Sequence, residues 1–166
     1  ENYFSILEDL MIAYQLPVFS KRAKRRLIRH TKFYFFDVGV YRTLRPKGPL
    51  DAPEEIEGVA LETLLLQELE AINRYRELGY DLFYWRTANG LEVDFVLYNS
   101  KRVMAIEIKR AARITSSHLR GLRAFLNDYP GAKAFMLYGG SKTLWEGNIQ
   151  IIPFELFLKN IYSYLK

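Results

Sequence analysis

Leu91-Glu92-Val93-Asp94-Phe95-Val96-Leu97 and Ala105-Ile106-Glu107-Ile108-Lys109 alternate charged with apolar side chains at the two-residue period of a β-strand. On that period Asp94 shares a face with Glu92 and Val96, while Val93, Phe95 and Leu97 face the other way. Glu107 and Lys109 share one face, with Ile106 and Ile108 opposite. Between the two runs, Tyr98-Asn99-Ser100-Lys101-Arg102 is a polar break of the kind that closes a hairpin. A turn centred between Ser100 and Lys101 sets Asp94 across from Glu107; a turn one residue earlier sets Glu92 there. Either register gathers two carboxylates and an ammonium on one face. Like charges about 4 Å apart cost roughly 1 kcal/mol in water and about 4 at an effective dielectric near 20. A divalent cation offsets that repulsion, and a hard ion such as magnesium takes oxygen ligands from one or two carboxylates. A solvated sheet face with a Lys-Glu pair gives the same alternation.

The long helix expected before the hairpin runs from about Glu57 to Leu78, with Leu61, Leu65, Leu69 and Ile72 on its apolar stripe. At 100° per residue Glu62 falls at the edge of that stripe and Glu68 within it. A carboxylate on a core-facing stripe is costly unless paired, hydrogen-bonded or metal-bound, and Arg86 from the next strand is the expected partner of Glu68.

These features resemble a known family. Asp94 followed by Glu107-Ile108-Lys109, on hairpin strands after an acidic helix, looks like the PD-(D/E)XK nuclease core, the restriction-endonuclease-like fold. The run Lys32 to Val40, then Gly58 to Leu69, then Tyr84-Trp85-Arg86 through Lys109, is similar to the DUF4143 domain. Gly58, Glu62, Glu68 and Leu69 match its G-x-x-x-E-x-x-x-x-x-E-L pattern. That domain forms the carboxyl-terminal part of a family of prokaryotic AAA+-type ATPases. The resemblance implies a metal-dependent nuclease, or a former one, acting on DNA. Glu62, Asp94 and Glu107 then hold Mg2+ or Mn2+, the Ile108 carbonyl joins them, and Lys109 serves the attacking water. Glu68 supports the site from behind. The alternative is a non-catalytic module for partner docking, self-association or DNA positioning.

Charge is uneven. Residues 21 to 32 carry Lys21, Arg22, Lys24, Arg25, Arg26, Arg29 and Lys32 with no acid; of twenty-four lysines and arginines this leaves seventeen, against nineteen acids. Upstream, Phe4, Leu7, Leu10, Met11 and Tyr14 suggest a helix reaching Pro17. Val18-Phe19 and Leu27-Ile28 through Phe36 read as two strands joined by the basic stretch, a helix and hairpin resembling the end of a winged helix. Such a wing lays Lys21, Arg22, Lys24, Arg25, Arg26 and Arg29 along nucleic-acid phosphates, in salt-sensitive contacts that carry no base information. A merely solvated basic loop is the plainer alternative.

The expected fold is α/β, a mixed sheet flanked by helices, divided into a winged-helix-like segment at 1–36 and a nuclease-like domain at 37–166. Asp37 is expected to cap a short helix to Leu44. Arg45 to Pro53 reads as an irregular connector, and Asn89-Gly90 as a turn. Thr115 or Ser116 caps a helix ended by Pro130-Gly131. Ala134 to Tyr138 is a buried strand, Ile149 to Ile152 an edge strand, and Pro153 starts a helix through Tyr164.

No cysteine occurs, which excludes disulfides and thiolate zinc, and His30 and His118 stand far apart in sequence. No apolar run approaches the roughly 20 residues of a membrane span and no secretory signal opens the chain, so cytoplasmic residence is expected. Gly139-Gly140-Ser141-Lys142-Thr143 lacks the glycines of a phosphate loop. With that motif absent and Glu1 opening part-way into the winged-helix resemblance, the ATPase part is expected to lie outside this chain, which then hydrolyses no ATP. Some nucleases of this fold pair up, but no dimer face is legible here.

Overall fold

A computed structural model describes residues 3–21, 23–27, 30–45, 48 and 53–166. Helix α1 (Tyr3–Asp9) leads to strands β1 (Ala13–Leu16) and β2 (Lys32–Phe35), then helices α2 (Val38–Leu44) and α3 (Pro53–Tyr75). Strands β3 (Asp81–Arg86), β4 (Glu92–Tyr98) and β5 (Val103–Lys109) follow. A 3-10 turn (Ser116–Leu119) runs into α4 (Arg120–Asp128), β6 (Lys133–Tyr138), β7 (Leu144–Glu146), β8 (Ile149–Pro153), α5 (Phe154–Lys159) and α6 (Ile161–Leu165). The expected mixed sheet flanked by helices is present. Its order is β3-β4-β5-β6-β8-β7, antiparallel from β3 to β5, parallel through β6 and β8, and antiparallel again at β7.

Each face of the sheet has its own core. On one, Leu65, Leu66 and Leu69 of α3 and Phe157, Ile161 and Leu165 of the last helices bury Phe95, Leu97, Met104 and Ile106. On the other, Leu119, Leu122 and Phe125 cover Val93, Val96, Ala105 and Met136. Burying one such side chain contributes roughly 1.5–3 kcal/mol. Helix α3 follows the predicted stripe, but begins earlier and ends three residues sooner. Glu77 adopts a left-handed φ of 51°, and Leu78 N–H donates back to Asn73 O at 3.0 Å, closing the helix. The Asn73 amide then ties down Tyr80 N and O at 3.0 and 2.8 Å.

Five local expectations change. Helix α1 stops at Asp9 instead of continuing past Tyr14: Met11 turns back with φ 55°, and residues 13–16 pair antiparallel with 32–35. The strand of this hairpin is therefore Ala13–Leu16, while Val18 and Leu27 make only isolated bridges to Tyr84 and Thr87. The C-terminal helix breaks at Asn160, whose side chain bonds Leu156 O. The second helix starts at Arg120 behind the 3-10 turn, where Thr115 N–H donates to His118 Nδ1 at 3.2 Å. Strand β8 is interior, because the short β7, with Trp145 66% exposed, takes the edge.

Other expectations hold. Asp37 caps α2 by accepting from Val40 N at 3.0 Å. Gly90, with φ 84°, makes the β3–β4 turn and donates to Thr87 O. Leu16 and Tyr34 belong to the first core and Phe19 to the second, so the amino-terminal segment packs into the same body as the sheet. Ile28, Arg22, Arg29 and most of the 45–53 connector lie outside the described residues.

Candidate functional site

The β4–β5 ladder pairs Tyr98 with Val103 and proceeds in register to Phe95 and Ile106. That register is the one centred between Ser100 and Lys101, which brings Asp94 next to Glu107. On the other side of β4, Val96 opposes Phe83 and Val93 opposes Trp85, so Asp94 and Phe95 together face Tyr84. This is a β-bulge, a device that re-aims a side chain and breaks strict alternation. Val93 consequently packs with Val96, in the core opposite to Phe95 and Leu97, which corrects the expected facing of Val93.

Beyond Phe95 the carboxylate of Asp94 takes the place of a ladder acceptor: Oδ2 receives the Ile108 N–H at 2.9 Å. Asp94 is 4% exposed. Burial, then the nearby charges of Glu107 and Glu62, push its pKa well above the ordinary carboxylate range. Glu107, also buried, pairs through Oε1 with Lys109 Nζ at 2.7 Å, while its Oε2 is buried without a hydrogen-bond partner. Burial pushes Glu107 up to about 7 against the pull of Lys109. Burial alone would lower Lys109, but Glu107 and Asp94 outweigh it and hold the ammonium charged.

Glu62 arrives from α3, as expected. It accepts from the Tyr34 hydroxyl at 2.6 Å and lies 3.7 Å from Lys32 Nζ. Lys32 also pairs closely with Glu92, and Arg86 reaches Glu92 at 3.6 Å. Arg86 is therefore the partner of Glu92 and not of Glu68. Burial opposes the charge on Lys32, but Glu62, Asp94 and Glu92 together raise its pKa. Burial and Glu62 likewise raise Tyr34 and keep the phenol protonated. Four carboxylates thus meet three cations.

Lys32 and Tyr34 are the members that sequence reasoning missed. Lys32 was counted with the basic segment, yet it sits among the acids. The only sequence signal was its place in the run Lys32 to Val40. A groove of about 360 Å3 opens onto Glu107 and Lys109 and is also lined by Asn89, His118 and Arg120. Its wall is close-packed at Gly121, where an added Cβ would stand 1.9 Å from Glu92 O.

Among the described residues, no three His, Cys, Asp or Glu side chains are gathered tightly enough to enclose an ion. The donors nevertheless suit a hard cation. All are carboxylate oxygens, they repel one another, and Glu107 Oε2 has no partner.

The basic segment is dispersed. Arg25 Nε makes two bonds, 3.0 and 2.9 Å, to the buried Asp128 carboxylate. Lys21 Nζ lies 3.8 Å from the Tyr98 ring centre. Arg26 contributes its carbonyl to Ala88 N. Lys21 and Lys24 line a groove of about 610 Å3 with Lys101 and Arg102, at the opposite end of the β4–β5 hairpin from Asp94.

The family model for DUF4143, a domain of unknown function, matches residues 57–157, which include Glu62, Asp94, Glu107 and Lys109. The chain belongs to the DUF4143 family. A second domain of unknown function, DUF8612, matches residues 1–51. The run Lys32 to Val40 falls in that second match, so the DUF4143 site is closed by Lys32 and Tyr34 from a neighbouring family region. The chain is 29% identical over 141 residues to uncharacterized protein Rv2008c of Mycobacterium tuberculosis. It is equally similar to uncharacterized protein Mb2031c of Mycobacterium bovis. The match covers 84% of this chain and 31% of each relative, so the chain spans about a third of the length of the curated relatives it matches. No helix among the described residues of this DUF4143 protein is long and apolar enough to cross a membrane.

Proposed function

We propose that this chain is the nuclease-like part of a larger cytoplasmic AAA+-type ATPase of prokaryotes, hydrolysing phosphodiesters in DNA with Mg2+ or Mn2+. The core is read as restriction-endonuclease-like, and α1 with the β1–β2 hairpin as the end of a winged helix. The observation that carries the reading is the meeting of buried Asp94 and Glu107 with partly exposed Glu62, with Glu107 Oε2 unpartnered and Lys109 alongside. Those three carboxylates would hold the ion. When bound, it relieves their repulsion, acidifies a water and stabilises the charge that develops on phosphorus.

The chain's own groups do the rest. The Ile108 N–H fixes the Asp94 carboxylate, and Tyr34 with Lys32 fixes Glu62. The side chain of Lys109, 39% exposed beside the groove, orients the attacking water and offers charge to a phosphate oxygen. In-line attack of water forms the new P–O bond as the bond to the leaving oxygen breaks; the attacking water gives up one proton to solvent, and the leaving oxygen takes one up from solvent. Lys21 and Lys24 add phosphate contacts at the far groove.

Plasmid nicking tests this reading. Mg2+-dependent nicking by the wild type that is lost in Asp94→Ala and Lys109→Ala supports it; nicking that persists in Asp94→Ala contradicts it.

A second reading, a non-catalytic module for docking or DNA positioning, is favoured by one observation: Lys109, Lys32 and Arg86 are each already paired with a carboxylate. Thermal denaturation with and without Mg2+ separates the two. A metal site gains about 2.7 kcal/mol of stability at a hundredfold excess over Kd, and an ion-pair network gains none.

A further inference from the structure

A groove of about 1110 Å3 lies beside the carboxylate cluster and takes no part in it. Its walls continue the two elements that carry Lys109 and Glu62: Arg110 follows Lys109 at the end of β5, and Leu61 precedes Glu62 on α3. Arg110, Arg113, Lys142 and Lys159 line it, against a single acid, Glu155. Glu155 stands 4.0 Å from Lys159, and both are mostly exposed. The other three cations have no carboxylate partner among the described residues. Leu144 and Leu156, 48% and 39% exposed, add an apolar floor.

The groove is also held in shape. The Tyr138 hydroxyl donates to Lys142 O at 2.6 Å and accepts from Lys142 N at 3.2 Å, closing the loop that presents Lys142. At Gly139 an added Cβ would stand 2.4 Å from Arg110 O, so only glycine lets this loop lie against the end of β5. The Gly139 to Lys142 run, which fails as a phosphate loop, therefore has a structural purpose: it fixes one basic residue against another.

Resting on the proposed phosphodiester chemistry, we infer that this groove seats a single nucleic-acid strand leading away from the scissile phosphate, with Arg110, Arg113 and Lys142 on its phosphates. Unpaired cations on a fixed wall match a chain of phosphates. The exposed leucines bury sugar and base faces that a single strand presents and a duplex keeps stacked inside. These are positioning residues, remote in sequence from the basic segment at 21–32.

The test is fluorescence anisotropy with a labelled single-stranded DNA oligonucleotide, in EDTA so that no cleavage occurs and no metal site is needed. Arg110→Gln/Arg113→Gln/Lys142→Gln is expected to weaken binding by ten-fold or more. It should also lower the slope of log K against log salt by about 2, near 0.7 for each phosphate contact on a single strand. Arg76→Gln/Lys133→Gln/Lys166→Gln, which removes three exposed cations outside the groove, controls for net charge and should stay within two-fold of wild type. Arg113→Gln alone, at an exposed position, keeps the test valid if the triple variant misfolds; it should weaken binding by a few-fold and lower the slope by about 0.7. Binding by the folded groove variants within two-fold of wild type, or an equal loss in the control, overturns the assignment. Tighter binding of a duplex of the same length overturns its single-strand part. Loss of nicking in Asp94→Ala with unchanged oligonucleotide affinity separates the metal reading from this one.

Discussion

From Phe95 to Tyr98, strand β4 pairs residue for residue with Val103 to Ile106 of β5, and Phe95, Val96, Leu97, Met104, Ala105 and Ile106 are all fully buried. From Glu92 to Asp94 against Glu107 to Lys109, the regular ladder gives way to a carboxylate in place of a ladder acceptor and a buried oxygen without a partner, and β4 bulges there against β3 on its other side. One half of the hairpin gains stability from packing. The other concentrates charge at a cost that packing must offset. The contrast shows how a stable sheet can hold repelling carboxylates: the regular half of the β4–β5 ladder fixes the register that brings Asp94 and Glu107 together, and the bulge of β4 against β3 re-aims Asp94 at the end of the strands. Natural sites commonly trade stability for function in this way.

The largest effect is expected in the regular half. Phe95→Ala removes a fully buried ring from the α3 side and should cost about 3–5 kcal/mol in urea denaturation. A loss below 1 kcal/mol would show that the hairpin is not anchored there.

The charged half should respond in the opposite direction. Glu107 titrates near 7 in the fold and near 4.5 when unfolded, so between those values the folded state binds a proton that the unfolded state lacks. Its contribution to metal-free stability is full below about pH 4.5 and is lost as the pH rises through 7, in the limit about 3 kcal/mol. Glu107→Gln should flatten that fall and stabilise the metal-free protein at pH 8. A pH profile unchanged by the substitution would remove the strain from this half.

Gly121→Ala probes the seam between the halves and the helix covering them, since its Cβ would meet Glu92 O at 1.9 Å. A cost of about 1–3 kcal/mol is expected from forcing α4 off β4. Wild-type stability would mean that the seam yields freely.

The smallest effect belongs to the far groove. Lys21→Gln/Lys24→Gln should change stability by no more than about 0.5 kcal/mol, as exposed surface substitutions do. It should weaken DNA binding only a few-fold, read by anisotropy; a loss as large as that of the Arg110 groove would make the basic segment the main nucleic-acid contact.

What the sequence made legible follows range. The turn narrowed the partner of Glu107 to Asp94 or Glu92, and the ladder settles it as Asp94; helical spacing put Glu62 at the edge of the α3 stripe, and the family resemblance singled it out. The bulge at Asp94 could not, since alternation assumes a regular strand. The helix expected through Tyr14 lost to pairing between residues 13–16 and 32–35, a contact invisible to a helical window. Arg25 and Asp128 are 103 positions apart, and Lys32 meets acids at 62 and 92, so two cations of the apparent basic patch found partners brought in by the fold. Conversely, Arg110, Arg113, Lys142 and Lys159 form no run in the chain and became a surface only through β5, β6 and α5.

The central claim is that Asp94, Glu107 and Glu62 form a cation site. Calorimetric titration of Mg2+ and Mn2+ into the wild type and into Asp94→Ala, with folding of the variant checked by circular dichroism, tests it most directly. The account predicts saturable binding to the wild type that is lost in the folded variant. Equal heats from the two proteins, or no binding to either, would contradict it and leave the charged end of the hairpin an ion-pair network.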